Sequence, residues 1–484
     1  MAVWYGSRRQ FLQATCFATA ATALQDQGWA LASHGPYQAT GVRVGEMTSH
    51  SAIVWTRLTG QPQRNQQGIL FDRRNRSAPN AAQVPIDEIE GACPAAAGRV
   101  RLLYGAKADL SDARQLDWID VADSDDGIHK FTVRDLVPDT TYYYAVQAAL
   151  PGSDQVGSQL VGQFRTAPPE DAPSRVRFCV MTCQGYHDRD HAEGHPIYPS
   201  MIARQPHFLV LTGDLVYYDN DPPRATNVPL ARLHWQRMFS LPRLRSALAQ
   251  AGAYWLKDDH DTLSNDSWPG MTYGELTFAQ GQELFQQQAP IGPVSYRTFR
   301  WGRDLQVWFS EGRDFRSPNR VKDGPEKTIW GAEQREWFQK TVLESDATWK
   351  ILVSPTPLVG PDRPNKNDNH ANAGFSYEGE QIRAWLKEHV PDNFFVVCGD
   401  RHWQYHSIHP RTGLHEFSVG AASDSHAGGS PGYNSDFHRF HRVAGGFLCV
   451  DVQSDRRQSQ LAFQLRDVDG AVVHQAVFRS RVPR

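Results

Sequence analysis

The sequence predicts a two-domain protein in which an all-β domain precedes a layered α/β domain. The first observation is length, because 484 residues exceed the usual size of a single hydrophobic core. The second is pattern: short strand patterns bounded by turn residues fill residues 38–168, whereas strand and helix patterns alternate over residues 174–484. The third is the proline-rich stretch 166–173 between them, which is typical of a linker.

Composition and charge exclude several classes of protein. With 40% of its residues hydrophobic, the chain has the composition of a well-packed globular protein and not of a disordered one. Its 50 basic and 53 acidic residues are mixed along the chain and give a net charge of −3, so we expect no nucleic-acid-specific binding surface. We expect no transmembrane segment either, since no run after residue 30 approaches the roughly 18 apolar residues that cross a bilayer.

The N-terminus is typical of an export signal. The segment Ser7–Leu12 contains a twin-arginine pattern, a moderately apolar stretch follows at 14–24, and small residues at 30–32 offer a cleavage site. We therefore expect residues 1–32 to be a twin-arginine signal peptide, the twin-arginine export machinery to be a partner, and the mature protein to be periplasmic or secreted. The alternative is a disordered tail that contains two arginines by chance.

The cysteine count argues against a pure disulfide framework. The six cysteines are Cys16, Cys93, Cys179, Cys183, Cys398 and Cys449. Cleavage of the signal peptide would remove Cys16 and leave five, an odd number that leaves at least one thiol free. Cys183 is our candidate for that thiol, whereas Cys179 and Cys398 fall inside strand patterns and are expected in the core.

The N-terminal domain is predicted to be a β-sandwich. Its strand patterns lie at Val42–Met47, Ser51–Leu58, Gly98–Tyr104 and Leu136–Val146. The last of these begins Leu-Val-Pro-Asp-Thr-Thr-Tyr and resembles the corner of a fibronectin type III domain, which leads into an alternating strand. Residues 60–97 are polar and rich in Gln, Asn, Arg and Pro, and we interpret them as a long loop inserted into this domain.

The second domain, residues 174–484, is predicted to contain strands that are buried on both faces. Continuous apolar runs such as the one at 206–213 are typical of such strands. Further strand patterns lie at 176–182, 253–256, 305–310, 349–354 and 393–398, and helical patterns lie at 331–343 and 379–390. Residues 445–479 return to a strand pattern.

Polar residues with the chemistry of metal ligands follow five of these strands. They are Cys183 and the segments Gly213–Asp219, Asp258–Asp266, Ser310–Ser317 and Gly399–His402. In a layered α/β domain ligands bind just past the carboxyl ends of the strands, so we expect these residues at one edge. One such segment is ordinary turn chemistry, but five that carry thiolate, carboxylate, phenol, amide and imidazole indicate a functional centre.

This set of donors favours metal ions and the hydrolysis of phosphate esters. Carboxylate oxygen, amide oxygen and imidazole nitrogen suit divalent cations, whereas the thiolate of Cys183 and the phenolate of Tyr217 favour iron. Phosphoryl transfer needs positive charge beside the non-bridging oxygens and hydroxide at neutral pH, and closely spaced metal ions supply both. A carboxylate such as that of Asp214 can bridge two ions.

The ordered set of motifs resembles the alkaline phosphatase D family, calcineurin-like metallophosphoesterases related to the purple acid phosphatases. The motifs are Gly213-Asp214-Leu-Val-Tyr217, Asp258-Asp-His-Asp…Asn265-Asp and Gly399-Asp-Arg-His402, and further fragments over nearly all of the mature chain are similar too. The resemblance implies a four-layer α/β fold, in which a β-sandwich carries helices on its outside and follows a fibronectin type III-like domain. It also implies iron (Fe3+) and one or two calcium ions as cofactors, with other divalent metals as alternatives.

Residue by residue, the resemblance assigns metal ligands and catalytic groups. The implied ligands are Cys183, Asp214, Tyr217, Asn265, Asp400 and His402. Asp259 is a further candidate, because it stands where related enzymes place a ligating Asn. His260 matches the His that those enzymes use as an acid or to orient phosphate. Arg313 is either a phosphate clamp or a salt-bridge partner, and the sequence leaves both alternatives open.

Two departures from the family pattern fall beside the site. Glu311-Gly312-Arg313 replaces the usual Asp-Thr-Arg, and Asp261–Asn265 replaces a more typical Asp-Tyr-Gly-x-Asn. We expect both to affect substrate choice more than the existence of the centre.

Several assignments have a structural alternative: a buried thiol for Cys183, a packed aromatic ring for Tyr217, and ordinary turn residues for Asp400 and His402. The rim candidates among the other histidines are His187, His191 and His195. The histidines to which we assign no role in the centre are His406, His409, His426, His438 and His441.

The resulting hypothesis is metal-dependent hydrolysis of phosphate esters, as in an alkaline phosphatase of phosphomonoesterase or phosphodiesterase type. A metal-bound hydroxide would attack phosphorus in line, His260 or water would protonate the leaving oxygen, and Arg313 would steady the developing charge. The substrate would be a small phosphate ester or a phospholipid, because phospholipase D-like cleavage of a diester is the first alternative. The second alternative is a surface-binding protein with a relic phosphoesterase domain, which the complete set of ligands disfavours.

Replacing both Arg8 and Arg9 with Lys should leave an active protein inside the cytoplasm. The export machinery reads the arginine pair as an address, and this address lies outside the predicted fold, so folding and activity should be unchanged. Cell fractionation followed by a phosphatase assay of each fraction measures the effect against the wild-type chain. Normal export of the double-Lys variant would mean that the segment is a different type of signal or none.

Overall fold

The computed structural model describes residues 35–72, 83–390, 392–455 and 457–481. The signal peptide predicted at 1–32 lies outside the described residues, and so do residues 73–82 of the loop predicted at 60–97. In the part of the chain that is described, no helix combines the length and the apolarity needed to cross a bilayer.

The N-terminal part forms two antiparallel sheets, which confirms the all-β prediction for it. Its strands are β1 (Val42–Gly45), β2 (Ala52–Arg57), β3 (Gly98–Gly105), β4 (Arg114–Gln115), β5 (Ile119–Val121), β6 (Ile128–Val133), β7 (Thr141–Ala149) and β8 (Val156–Arg165). One sheet has the order β1-β2-β6 and the other the order β4-β3-β7-β8, with β5 beside β3. Apolar residues of both sheets, among them Val54, Val100 and Val146, pack in the core between them.

The tyrosine of the predicted corner closes a hydrogen bond at the start of β7. The Tyr142 hydroxyl accepts the Val137 amide at 2.9 Å. Along β7 the side chains of Tyr142, Tyr144 and Val146 are buried, whereas Tyr143 and Gln147 are more exposed. A tyrosine corner of this kind is a recurrent device for fixing the entry into a strand of a β-sandwich.

Two larger sheets follow, and each contains a block of parallel strands. Their strands are β9 (Arg175–Met181), β10 (Phe208–Thr212), β11 (Ala253–Leu256), β12 (Thr272–Tyr273), β13 (Leu276–Thr277), β14 (Arg297–Trp301), β15 (Leu305–Phe309), β16 (Trp349–Ser354), β17 (Phe394–Cys398), β18 (Gln404–Ile408), β19 (His415–Val419), β20 (His438–Arg442), β21 (Phe447–Ser454), β22 (Gln458–Arg466) and β23 (Val472–Arg481). The first sheet has the order β11-β10-β9-β21-β22-β23, the second has the order β14-β15-β16-β17-β19-β18-β20, and β12 and β13 form a separate two-stranded sheet. The parallel blocks are β9 to β11 in the first sheet and β15, β16, β17 and β19 in the second.

Helices cover the outer face of each of these sheets. The helices of the described residues are α1 (Ile197–Ile202), α2 (Val228–Phe239), α3 (Pro242–Gln250), α4 (Phe278–Gln288), α5 (Gly331–Glu344) and α6 (Ser376–His389), besides the short 3-10 helix Ile86–Glu88. The inner faces of the two sheets share one core, to which Phe178 and Phe395 belong. On the outer faces, α1 to α4 pack against the first sheet, and α5 and α6 pack against the second. The layers are therefore helix, sheet, sheet, helix, which confirms the predicted four-layer fold.

The loop that we interpret as an insertion reaches from the N-terminal part to a strand end of the first sheet. Its carboxylate Glu90 accepts the buried Tyr186 hydroxyl at 2.9 Å and pairs with Arg64 at 2.5 Å. Tyr186 follows Cys183 by three residues. The N-terminal part therefore contacts the edge of the sheet at which the predicted ligands lie.

Candidate metal centre

Three of the predicted ligands occupy equivalent positions, two residues beyond the end of a parallel strand. Cys183 follows β9, Asp214 follows β10 and Asp400 follows β17. All three have a left-handed backbone conformation, with φ values of 52°, 55° and 60°. Such values are uncommon outside glycine and concentrate at functional sites, where they turn the chain sharply.

The carboxylate of Asp214 is common to three groups of ligand atoms. Those groups are Asp214 with Cys183 and His402, Asp214 with Asp259 and His260, and Asp214 with Asp258 and Asp400. Within each group the three ligand atoms lie within 4.8 Å of one another. The structure thus brings residues from the ends of β9, β10, β11 and β17, and hence from both sheets, to one carboxylate.

Two glycines permit this close approach of strand ends. A Cβ on Gly399 would lie 2.5 Å from the carbonyl oxygen of Thr212, which belongs to the other sheet. A Cβ on Gly213, where φ is 74°, would lie 2.6 Å from the Cβ of Asp258. Any larger residue at either position would push apart the strand ends that carry the ligands.

Several acidic groups are buried next to one another at this point, and burial shifts their pKa values. It raises the pKa of the Asp214 carboxyl well above the usual value, and Asp259 and Asp258 add to the rise while His260 opposes it. Burial also raises the pKa of the Cys183 thiol, with the Asp214 charge as the next cause. A cation bound among these groups would oppose both rises, because it stabilises the charged forms of the carboxyl and the thiol.

Tyr217 lies where these groups meet. Its hydroxyl donates to Asp214 Oδ2 at 3.2 Å and lies 3.4 Å from His402 Nε2. Burial, together with the charges of Asp214 and Cys183, raises the pKa of the phenol well above its usual value. The hydroxyl therefore contacts ligand atoms and not only apolar neighbours, which favours ligation over the packed-ring alternative.

The same hydroxyl contacts His426, to which we assign no role from the sequence. His426 Nε2 lies 2.9 Å from the Tyr217 oxygen, and its Nδ1 lies 2.8 Å from Asp188 Oδ2. The centroids of the His426 and His402 rings are 4.3 Å apart. The structure corrects our interpretation, which failed because a single His in an irregular loop carries no local signal of partners that are 209 and 238 residues away.

Arg313 is fully buried beside two of the carboxylates. Its Nε donates to Asp258 Oδ1 at 2.5 Å, and a terminal nitrogen lies 3.5 Å from Asp259 Oδ2. Burial opposes ionisation of Asp259, but the charges of Arg313 and His260 outweigh it and lower the pKa of that carboxyl. These contacts are those of the salt-bridge partner, and contact of Arg313 with a substrate phosphate stays a prediction.

His260 is partly exposed at the opening of the centre. Its Nδ1 lies 2.6 Å from Asp219 Oδ1, and its ring centroid lies 4.5 Å from that of Tyr217. Burial opposes the charged ring, but the carboxylates of Asp259, Asp214 and Asp219 raise the pKa of His260 well above its usual value. A protonated imidazole at the opening has the chemistry of a general acid.

The described contacts do not join Asn265 to the groups around Asp214. Asn265 is exposed, and its backbone amide donates to Asp219 Oδ2 at 2.9 Å, so its ligation stays a prediction. Two of the rim histidines, His187 and His195, hydrogen-bond backbone carbonyl oxygens at 3.0 and 3.2 Å. The third, His191, is exposed.

Carboxylates in the two segments that contain the departures from the family pattern tie the loops together. Glu311 is buried and accepts the Lys257 ammonium group at 2.5 Å. Asp261 accepts the amides of Leu215 and Asp258 at 3.0 and 2.7 Å, and burial raises its pKa to about 7. Both side chains thus hold strand ends in place, and their oxygens are engaged by these partners.

The donor set fits metal ions. Asp214 Oδ1 and Asp258 Oδ2 are buried and have no hydrogen-bond partner among the described residues. An unsatisfied polar atom in an interior costs about 1–3 kcal/mol, and a cation would satisfy both oxygens. A group with thiolate and imidazole suits a transition metal ion, whereas a group of carboxylates alone suits a hard ion such as calcium.

Two family models match the chain over most of its length. The model described as PhoD-like phosphatase matches residues 178–445, and the model described as PhoD-like phosphatase, N-terminal domain, matches residues 23–168. The first match contains every predicted ligand. The sequence has no significant match among curated proteins.

Solved structures with the same fold include two phosphatases. The structure of PhoD aligns with a TM-score of 0.71 at 16% identity and covers 93% of both chains. The purple acid phosphatase PPD1 from yellow lupin (Lupinus luteus) seeds aligns with a TM-score of 0.57 at 13% identity, over 90% of this chain and 73% of that one. At such identities these two alignments establish the fold alone.

A ferric ion held by Cys183 and Tyr217 should give the purified protein a visible colour through ligand-to-metal charge transfer. Cys183→Ser should shift or bleach the band and lower the iron content, because a hydroxyl is a far poorer anionic ligand than a thiol with a pKa near 8.5. Tyr217→Phe should do the same through loss of the phenolate, while the ring still packs. Visible spectra and elemental analysis of the purified variants measure both effects.

The matched control for this experiment is Cys398→Ser. Cys398 is also buried, and its sulfur lies 3.4 Å from the Tyr405 hydroxyl and outside the three ligand groups. The Cys398→Ser variant should leave the visible absorption band and the iron content unchanged. A colourless, iron-free wild type that is fully active with calcium or zinc alone would contradict the iron assignment.

Proposed function

Since the chain belongs to the PhoD-like phosphatase family, we propose that it hydrolyses phosphate esters in a metal-dependent reaction at the groups around Asp214. The observation that carries this proposal is the meeting of three ligand groups at one carboxylate. Phosphoryl transfer benefits from several closely spaced ions, whereas a single structural ion would need only one such group. The relic-domain alternative is disfavoured by the same observation, because a relic has no reason to keep three groups.

The proposed ions differ in the ligands that would hold them. The residues proposed for ferric iron are Cys183, Asp214, Tyr217 and His402, and those proposed for calcium are Asp214, Asp258, Asp259, Asn265 and Asp400. The chemistry that bound ions supply is Lewis acidity, which neutralises charge on phosphoryl oxygens and makes water nucleophilic at neutral pH. Asp214, as the shared carboxylate, would set the spacing between the ions.

On the protein side, we propose His260 as the acid that protonates the leaving oxygen. The Asp219 carboxylate lies at its Nδ1, so this ion pair orients the ring and favours its protonated form. The side chain of His260 is 13% exposed, whereas Asp214 and Tyr217 are almost completely buried. A substrate that approaches from solvent would therefore meet His260 at the opening.

We propose a different role for Arg313, that of a positioning residue. Its side chain has no accessible surface and is paired with Asp258 and Asp259. Its charge lowers the pKa of the Asp259 carboxyl and opposes the rise that burial causes in the pKa of Asp258, and its contacts hold the two neighbouring carboxylates in place. Developing charge on the phosphoryl group would then be met by the bound ions and by His260.

The proposed substrate class is a phosphate monoester or diester that approaches the partly exposed side of the centre. His260, Asp400 and His402 are the members of the ligand groups that reach solvent there. A phospholipase D-like diester cleavage remains the alternative within the enzymes, since the same ligand set serves both reactions. Assays on both kinds of ester separate them.

We also propose the boundaries and the destination of the protein. Residues 38–168 would be the fibronectin type III-like domain and residues 174–484 the catalytic domain. The twin-arginine pattern at 1–32 would direct export of the folded, metal-loaded chain to the periplasm or the exterior. Export of folded proteins is compatible with a centre that closes only in the folded state.

The purified protein should hydrolyse at least one of three test substrates, and a chelator should abolish the reaction. The substrates are p-nitrophenyl phosphate, bis-p-nitrophenyl phosphate and a phosphatidylcholine vesicle, which represent monoesters, diesters and lipids. Activity should return when calcium and iron are restored, because the ligands themselves are unchanged. Failure of the metal-loaded protein to hydrolyse any of the three would contradict the proposed function.

Asp400→Asn and His402→Ala should each lower turnover by at least about a thousandfold while leaving the fold intact, because loss of a ligand removes several kcal/mol of charge stabilisation. Rates on the best substrate and circular dichroism measure the two effects.

The matched controls for these variants are Asp135→Asn and His389→Ala. Asp135 is exposed and has a similar φ of 58°, and His389 is an exposed residue of α6. Both controls should keep full activity. Activity within tenfold of wild type for both Asp400→Asn and His402→Ala would contradict the site.

A further inference from the structure

Two loops beside the centre are joined by hydrogen bonds between residues far apart in sequence. One loop, residues 183–190, begins with Cys183, and the other, residues 423–428, carries His426. The Asp190 carboxylate accepts the amides of Asp424 and Ser425 at 2.7 and 3.2 Å. These bonds hold the backbone of the second loop next to the first.

The bond between Asp188 and His426 lies deeper in the same contact, and Gly185 makes room for it. A Cβ at position 185 would lie 2.9 Å from His426 Nδ1 and 3.0 Å from Asp188 Oδ2. Both atoms of the hydrogen bond therefore occupy the space that a side chain at 185 would need. Packing and hydrogen bonding together fix the imidazole ring.

The chemistry of the two partners decides which of them donates the hydrogen bond between Asp188 and His426. A carboxylate only accepts, so His426 Nδ1 donates to Asp188 and the Nε2 edge of the ring faces the Tyr217 oxygen at 2.9 Å. The ring of His426 crosses that of Tyr217 at 68°, with 5.0 Å between their centroids. The imidazole is thus held on one side by Asp188 and meets the phenol on the other.

The polar side chains around the Tyr217 oxygen differ in what a bound ion would do to them. Asp214, His402 and Cys183 are themselves predicted ligands, so an ion would engage the lone pairs that now face the hydroxyl. His426 belongs to none of the three ligand groups of the described residues. In a loaded centre, His426 is therefore the partner that remains to orient the phenol.

We propose that the Asp188–His426 pair is a positioning device that fixes the Tyr217 oxygen at the metal centre. Partners of this kind, which contact a ligand and not the ion, typically contribute tenfold to a hundredfold to metal affinity or activity. The inference rests on the metal centre of the proposed function, since the position of the phenol matters only if Tyr217 holds an ion. The alternative is a purely structural role, in which the pair stabilises the contact between the two loops and has no effect on Tyr217.

A double-mutant cycle separates the two roles. The variants are His426→Phe, Tyr217→Phe and the double variant, with p-nitrophenyl phosphate as substrate and with the rate of metal loss to a chelator as a readout independent of activity. His426→Phe alone should speed metal loss and lower kcat by about tenfold to a hundredfold, with KM little changed. In the Tyr217→Phe background the same substitution should change both quantities by less than about twofold, because the group through which it acts is gone.

A conservative variant and a control variant distinguish loss of the proposed positioning from general misfolding. Asp188→Asn keeps the shape of the side chain and removes its charge, so it should show a smaller effect in the same direction. His409→Phe is the matched control, since His409 is as buried as His426 and contacts Thr412 at 3.1 and 3.3 Å on a different loop. It should leave metal loss and kcat unchanged in both backgrounds.

The outcomes decide between the roles. If His426→Phe changes metal loss and kcat equally with and without the Tyr217 hydroxyl, the proposal is overturned and the role of the pair is structural. A wild-type chain that binds no metal would overturn it as well. A cycle that shows coupling in metal loss, from a protein that hydrolyses none of the substrates tested, would support the positioning role and overturn the proposed function alone.

Discussion

Burying several anions around one carboxylate is the constraint on which the rest of the site depends. Asp214 is shielded from water and surrounded by further carboxylates, a thiol and a phenol, each of which loses hydration when it is buried. Removing an ionised carboxylate from water costs several kcal/mol unless opposite charge or hydrogen bonds replace the water. Arg313 and His260 supply part of that opposite charge from the protein. The remainder of the opposite charge is what the cations of the proposed function would supply.

The two-sheet architecture is what allows such a concentration of charge without long loops. Each of three predicted ligands lies two residues beyond a parallel strand, in the same left-handed conformation. Two strands belong to one sheet and one to the other, so the two edges face each other across Asp214. The buried ties made by Asp261 and Glu311 hold the neighbouring strand ends in register. Rigid strands thus set positions that flexible loops would leave variable.

The fold and most of the centre could be predicted from the sequence, because both depend on local patterns. Apolar runs that end in Gly-Asp mark strands and their ends, and the parallel arrangement then brings those ends to one edge. His426 could not be predicted, since its partners Asp188 and Tyr217 come close only through the tertiary fold. The burial of Arg313 could not be predicted either. An arginine after a strand end has the same local sequence pattern whether its side chain points to solvent or to carboxylates. Asn265 was assigned by motif alone, and its ligation stays a prediction because the residue is exposed and its described contact is a backbone one.

The pairing of β9 limits when the first of the two larger sheets can form during synthesis of the chain. β9 precedes Cys183 and pairs on one side with β10 and on the other with β21, which the ribosome makes some 270 residues later. The cysteine loop itself is closed by the Ala422 amide, which donates to the Cys183 carbonyl oxygen. A nascent chain therefore presents an unpaired edge in the middle of its first sheet until synthesis is nearly complete. A chain that stops before β21 would keep this edge open, and an open strand edge is a template for pairing with another chain.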